Sequence, residues 1–387
     1  MEFSTLQQLE NTYMAETFSR FPVAIERGEG ATLFDTEGKR YVDFGSGIAV
    51  NIFGANDEKW KAAVIDQLSR IQHVSNYYYS EPQLDLAELL CFRTGAKRVF
   101  FANSGAEANE CALKAARKYS FEKYGEGRKK IISLNGSFHG RTLFTLTATG
   151  QEAFHRFFGP FVPEVVSVDA NMQAVEKESE NACAVIIECV QGESGVEALD
   201  KGFVRALRAF CDEHDILLIC DEVQSGNGRT GKFCAYEHYG ITPDIMTTAK
   251  GLGGGLPIGA CLFFEKTEHT LKPGDHGSTF GGNPVCCAGA VSIVSRLTED
   301  FLLEVQGKSE YLRAKLKGFD GVKRVTGLGL MIGLEVEKPA KEIAQQCLNR
   351  GLLVLTAHEK VRIVPPLNIT KTEMDEGLTI LREVLAQ

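Results

Sequence analysis

Between residues 98 and 264 the chain alternates short apolar runs with amphipathic stretches, a pattern few folds accommodate. The runs are Arg98–Ala102, Lys130–Leu134, Cys183–Val190, Ile216–Cys220, Ile245–Thr248 and Gly259–Phe264. They are rich in Val, Ile, Leu and Phe and show little polar alternation, as expected of strands buried on both faces. After Ser104, apolar residues recur at Ala108, Cys111, Ala112, Ala115 and Tyr119, and Ser104-x-x-Glu107 predicts a capping box at the start of a helix. Strand–helix alternation of this kind predicts an α/β fold with a mostly parallel, doubly wound sheet. The C-terminal third has another character. Short strands are expected at Met331–Val336, Leu352–Leu355 and Val361–Val364, and a last helix opens on Thr370-x-x-Glu373 with the stripe Met374, Leu378, Leu381 and Leu385. The expected organisation is a large domain over 56–284 and a smaller α+β domain over 285–387, with residues 1–55 packing against the smaller one.

Composition limits the partners. With 387 residues and a formal net charge of -9, the chain has no electrostatic reason to bind nucleic acid or an anionic membrane. No apolar run is long enough to span a bilayer, and Met1 to Arg20 lacks the basic-then-apolar build of a secretion signal, so a cytoplasmic protein is expected. The 11 cysteines form no C-x-x-C pair, and Cys183, Cys220 and Cys261 sit within apolar runs. They read as reduced core thiols, with no metal framework.

Ligands of open parallel sheets bind beyond the carboxyl ends of the strands, so polar residues at those ends carry the information about function. Here they are Asn103-Ser104-Gly105, the segment Glu188 to Glu193, Asp221-Glu222-Val223-Gln224, and Lys250. Lys250 follows an apolar approach and precedes a run of glycines. An amine in such surroundings has a depressed pKa and becomes nucleophilic toward a carbonyl. Asp221 ends an apolar strand, where an unpaired carboxylate is strongly disfavoured. An arginine, a helix N-terminus, a magnesium ion or a protonated pyridine nitrogen could each be its partner. Gly105-Ala106 opens a capped helix and offers free N–H groups to a phosphate, though any helix start would do so. Two glycine-rich segments fail as nucleotide motifs. Gly226-Asn-Gly-Arg-Thr-Gly231-Lys232 ends on Phe233 where a hydroxyl is needed, and Leu256 stands where the dinucleotide pattern requires a last glycine.

Five segments, in order along nearly the whole chain, resemble the class III (ω-amino) aminotransferases. They are Asn103-Ser-Gly-Ala-Glu-Ala-Asn109, Phe138-His-Gly-Arg-Thr142, Asp221-Glu-Val-Gln224, Ala249-Lys-Gly-Leu-Gly-Gly-Gly255 and Gly277-Ser-Thr-Phe-Gly-Gly-Asn-Pro284. The resemblance implies the type I fold of transferases that use pyridoxal 5'-phosphate (PLP). It implies that Lys250 carries PLP as a Schiff base and moves the proton between substrate and cofactor. Asp221 would pair with the pyridinium nitrogen, Gln224 would contact the phenolic side and Phe138 would stack on the ring. Ser104, Gly105 and Ala106 would hold the phosphate, and Thr279 would reach the phosphate of a neighbouring subunit with Ser278 near the substrate. A homodimer with shared sites follows.

For substrates, the resemblance implies that Arg141 binds the α-carboxylate of an acylated ornithine. Arg362 would bind that of glutamate or 2-oxoglutarate, shielded by Glu193 when it is not needed. The expected reaction moves the δ-amino group of N2-acetylornithine to 2-oxoglutarate in two half-reactions, a step of arginine synthesis. Ornithine, succinylornithine or 4-aminobutyrate are the alternative donors, and an aminomutase is the alternative reaction. The chain departs from the family pattern at Cys189, where many relatives have proline, and at Gly54-Ala-Asn-Asp-Glu58, which replaces Gly-His-x-His-Pro. Asn227, between two glycines, has no counterpart role in that reading.

Overall fold

The computed structural model describes residues 1–387. Seven strands form the large sheet: β1 (Arg98–Ala102), β2 (Lys130–Leu134), β3 (Val165–Val168), β4 (Ala182–Ile187), β5 (Leu217–Asp221), β6 (Ile245–Thr248) and β7 (Gly259–Phe263). Their spatial order is β1-β7-β6-β5-β4-β2-β3. The neighbours from β6 through β3 run parallel, and β7 alone is antiparallel to both its partners. Successive residues of one strand feed two cores. In β5, Leu217 and Ile219 face a cluster under the helix α1 (Gly105–Tyr124), whereas Leu218 and Cys220 join the main core. Small residues on α1, among them Ala108, Cys111, Ala112, Ala115 and Ala116, are fully buried and let the helix lie close to the sheet.

Two local expectations are corrected. Ser104 does cap α1, its hydroxyl accepting from the Glu107 N–H at 3.2 Å. The Glu107 carboxylate, however, accepts from the backbone and side chain of Asn103 at 2.7 and 2.8 Å rather than closing the box on Ser104. The expected strand Leu352–Leu355 is split. Leu352–Leu353 pairs in parallel with Arg40–Asp43, the last strand of an N-terminal antiparallel sheet, and Leu355–Ala357 pairs with Lys360–Ile363. Val354 between them is buried, so the change of sheet occurs inside the core.

The C-terminal sheet runs Val322–Leu328, Met331–Val336, Lys360–Ile363, Leu355–Ala357 in space and is antiparallel throughout. One continuous core reaches from Val42 and Phe44 through Ile132 and Leu218 to Leu334 and Leu381. All 11 cysteines are free thiols, and every one except Cys91 is buried. No helix is long and apolar enough to cross a membrane.

Candidate active site

The carboxyl ends of β1, β4, β5 and β6, with the turn after β2, open on one cavity of about 440 Å³. Ser104, Gly105, Ala106, Phe138, Arg141, Asp221, Gln224 and Lys250 line it together with Glu188, Val223 and His139. Asp221 is the last residue of β5 and is 4% exposed. Its Oδ2 accepts from Asn109 Nδ2 at 2.7 Å and lies 2.8 Å from His139 Nδ1, while Oδ1 accepts from the Val223 N–H at 3.0 Å. A carboxylate has no proton to give, so the His139 contact requires the proton on Nδ1. Asn109 is itself fixed, donating to the His139 carbonyl at 2.8 Å and accepting from Thr247 Oγ1 at 2.7 Å. The carboxylate is thereby fixed in direction.

Lys250 opens a short 3₁₀ turn after β6 with φ of +43°, a region unfavourable for a side chain. The glycines after it are required by crowding. A Cβ at Gly251 would stand 2.6 Å from Ile52 Cδ1, and one at Gly253 would stand 2.2 Å from the Leu256 carbonyl oxygen. Burial pulls the Lys250 amine below its ordinary pKa; Glu193, Asp221 and Glu188 oppose that effect and Arg362 adds to it. Glu188, at the end of β4, accepts from the Phe138 N–H at 2.9 Å and so fixes the residue whose ring closes one side of the cavity. Burial, followed by the Asp221 charge, holds the Glu188 carboxyl well above the usual range.

Beside the cavity lies a second polar group. Arg362, on the strand Lys360–Ile363, is 4% exposed and pairs through Nη1 with Glu193 Oε1 at 2.6 Å. Gln224 bridges the pair, donating to Glu193 at 3.1 Å and accepting from Arg362 at 3.3 Å. Burial alone would raise the Glu193 carboxyl, but the Arg362 charge and hydrogen bond hold it below its usual value. Arg362 Nε is buried without a partner, so the guanidinium has a donor to spare. Arg141 is exposed at the cavity wall, its guanidinium 4.1 Å from the Phe154 ring centre and 5.5 Å from that of Phe138. Cation–π contact steadies it while leaving its donors open.

These groups fit the cofactor that the sequence implies. An oriented carboxylate suits a pyridinium nitrogen, a buried amine suits an aldehyde, and the first N–H groups of α1 suit a phosphate. A Cβ at Gly105 would meet Val223 at 2.7 Å, so the helix start is free of side chain where it faces the cavity.

A sequence profile of one family, Aminotransferase class-III, matches residues 13–385. The chain is a class-III aminotransferase. The acetylornithine aminotransferase of Haemophilus ducreyi is 47% identical to this aminotransferase over 100% of both chains. The succinylornithine transaminase of Citrobacter koseri is 44% identical over 98% of this chain and 96% of its own. Among solved structures, an ornithine aminotransferase from Toxoplasma gondii superposes with a TM-score of 0.95 at 29% identity, covering 100% of this chain and 94% of that one.

Within one copy of the aminotransferase, Ser278 and Thr279 do not reach the Lys250 cavity. They line a separate depression with His73, Asn76, Gln83 and His276. Ser278 Oγ accepts from Asn103 Nδ2 at 3.1 Å and from the Gly281 N–H at 2.9 Å, and Thr279 is exposed. The sequence reading gave no role to Asn109, His139, Thr247 or Glu188. Asn109 and His139 lie inside the motifs that carry the resemblance; only their contacts show what they hold. The failed P-loop turns out to be a staple. Arg229 within it is fully buried and donates to the carbonyls of Leu330 and Pro365, joining the large sheet to the C-terminal region.

The departures from the family pattern are accommodated away from the cavity. Cys189 is buried, and its carbonyl accepts from Tyr239 Oη at 2.9 Å. In the Gly54–Glu58 loop, Asp57 caps the helix Glu58–Arg70 and pairs with Arg296 at 3.0 Å.

Proposed function

We propose that this enzyme moves the δ-amino group of N2-acetylornithine to 2-oxoglutarate, giving N-acetylglutamate 5-semialdehyde and glutamate, a step of arginine synthesis. The observation that carries the reading is the contrast between an unpaired Arg141 at the cavity and an Arg362 masked by Glu193. Two substrates share one site. The donor presents a carboxylate far from its reacting amine, and the acceptor presents two carboxylates. With Arg362 masked, the donor's only free guanidinium is Arg141, which orients the δ-carbon toward Lys250. For the acceptor, Glu193 turns away and Arg362 takes the α-carboxylate in bidentate fashion.

PLP, when bound, supplies an aldehyde that condenses with amines and a pyridinium ring that withdraws electrons from the reacting carbon. Asp221 keeps the ring nitrogen protonated, with Asn109 and His139 holding its orientation. With PLP bound, the Lys250 amine would be the group that takes and gives back the proton of the substrate carbon. Ser104, Gly105 and Ala106 would hold the phosphate, Phe138 would pack on the ring and Gln224 would contact its phenolic edge.

The enzyme works as a homodimer. Tyr77, Tyr79 and Phe92 are 94%, 95% and 84% exposed in the single chain, and Tyr77 lines one depression with Ser278, Thr279 and His73, on which the exposed Phe280 packs. Large aromatics left in water mark an interface, and a second copy is the simplest partner for such a surface. Thr279 then completes the partner's phosphate site, with Ser278 close to its substrate. Free thiols throughout suit a reducing, cytoplasmic setting.

Single-turnover bleaching of the cofactor absorbance by each amine tests the donor. N2-acetylornithine should react fastest, ahead of succinylornithine, ornithine and 4-aminobutyrate, and a faster reaction with ornithine overturns the choice. Turnover without 2-oxoglutarate would instead indicate an aminomutase.

A further inference from the structure

We infer that Asn227 is a positioning residue for Lys250, clamping the strained backbone from which the reactive amine is presented. Asn227 is 3% exposed and sits at φ of +54°, a left-handed conformation that asparagine tolerates better than most residues. Its side-chain amide donates to Thr248 Oγ1 at 2.8 Å and to the Ala249 carbonyl at 3.3 Å. Thr248 ends β6, and Ala249 leads from it directly into Lys250.

The platform under Asn227 is rigid. The Gly226 N–H donates to the Glu222 carbonyl at 3.0 Å and the Gly228 N–H to the Phe233 carbonyl at 3.2 Å. The neighbouring Arg229 is stapled to Leu330 and Pro365. Asn227 thus carries a fixed donor from this loop to the end of β6. Lys250 needs such support, because a non-glycine residue at φ of +43° persists only where its surroundings over-determine it. On its other side the turn is closed by the Leu252 N–H on the Ala249 carbonyl at 2.9 Å and the Gly253 N–H on the Lys250 carbonyl at 3.1 Å. The Ala249 carbonyl therefore receives the loop from one side and the turn from the other. An aliphatic residue could fill the same space but has no donor. An aspartate could accept from the Thr248 hydroxyl but would set an acceptor against the Ala249 carbonyl oxygen.

Two variants separate conformation from hydrogen bonding. Asn227→Gly keeps the left-handed backbone and removes the amide; Asn227→Asp keeps the shape and removes the donor. In each, hydrogen exchange of the Leu252 and Gly253 amides in the cofactor-free protein should accelerate about tenfold, as loss of one buried hydrogen bond allows. Exchange in β5 should be unchanged. In the loaded enzyme the donor half-reaction at saturation should slow by about the same factor with KM unchanged.

Normal exchange at Leu252 and Gly253 in both variants overturns the inference. So does equal acceleration in β5, which would make Asn227 a general stability residue. The inference rests on Lys250 carrying the cofactor, and borohydride fixation of PLP keeps the two claims apart. An unlabelled Lys250 in the parent protein refutes that reading, whereas a labelled Lys250 with undisturbed turn amides refutes only the clamp.

Discussion

Asp221 and Arg141 border the same cavity, yet their polar atoms are treated in opposite ways. Asp221 is buried and held by Asn109, His139 and the Val223 N–H, with Asn109 secured in turn by Thr247. Arg141 is exposed and rests on aromatic rings. Arg362 stands between these extremes, buried and paired with Glu193 but with Nε unpartnered. A group that must hold one charge in one place is given every partner the fold can supply. Groups that must bind and release two substrates in turn keep donors in reserve.

The hardest test of this contrast falls on the fixed side. Lys250→Ala should lower transfer by about 10⁴-fold while leaving thermal unfolding nearly unchanged, since no fixed partner is orphaned. Residual turnover near that of the parent protein would remove Lys250 from the chemistry. Asp221→Ala should slow both half-reactions by at least about 10²-fold and also lower stability by about 1–3 kcal/mol, because buried donors on Asn109 and His139 lose their acceptor. Denaturant titration of the cofactor-free protein reads the second effect alone.

On the adaptable side the losses should be smaller and confined to one substrate. Arg141→Met should raise KM for the acylated donor by about 10–100-fold, leave the glutamate half-reaction alone and barely alter stability. Equal losses with both substrates would contradict the division of labour. Glu193→Gln should reduce discrimination, slowing the donor half-reaction by about tenfold because Arg362 stays unmasked.

The same variant yields a pH prediction. Glu193 raises the Lys250 pKa, against the larger downward effect of burial. Only the neutral amine captures an aldehyde, so removing this carboxylate should move the onset of PLP capture by the cofactor-free protein to lower pH. Removing the Arg362 charge should move it the other way. Stopped-flow absorbance across a pH series measures both shifts.

How much of this was legible in the sequence depends on the range of each interaction. Strands β1, β2 and β4 to β7 announce themselves because most of their residues are apolar and most are buried. Strand β3 gave no such signal. It is a sheet edge whose Val165, Val166 and Ser167 are only half buried. The split of Leu352–Leu355 was equally hidden, because an apolar run does not say which sheet each half will join. At the site, Lys250 and Asp221 could be singled out from their own neighbourhoods. The partners of Asp221 could not, since Asn109 and His139 lie 112 and 82 residues away in sequence.

The sequence by itself determined the apolar periodicity, and through it the parallel sheet and the edge at which polar residues gather. It also determined the family, through motifs quoted residue by residue. Only the tertiary structure decided which of those polar residues are partnered. It paired Glu193 with Arg362 across 169 residues, left Arg141 free, and turned Asn227 from an unexplained filler into a contact on the Lys250 turn. The reason is physical. Burial follows local composition and can be read along a chain, whereas a hydrogen bond exists only when donor and acceptor come within about 3 Å at the right angle. That distance is set by how distant segments pack.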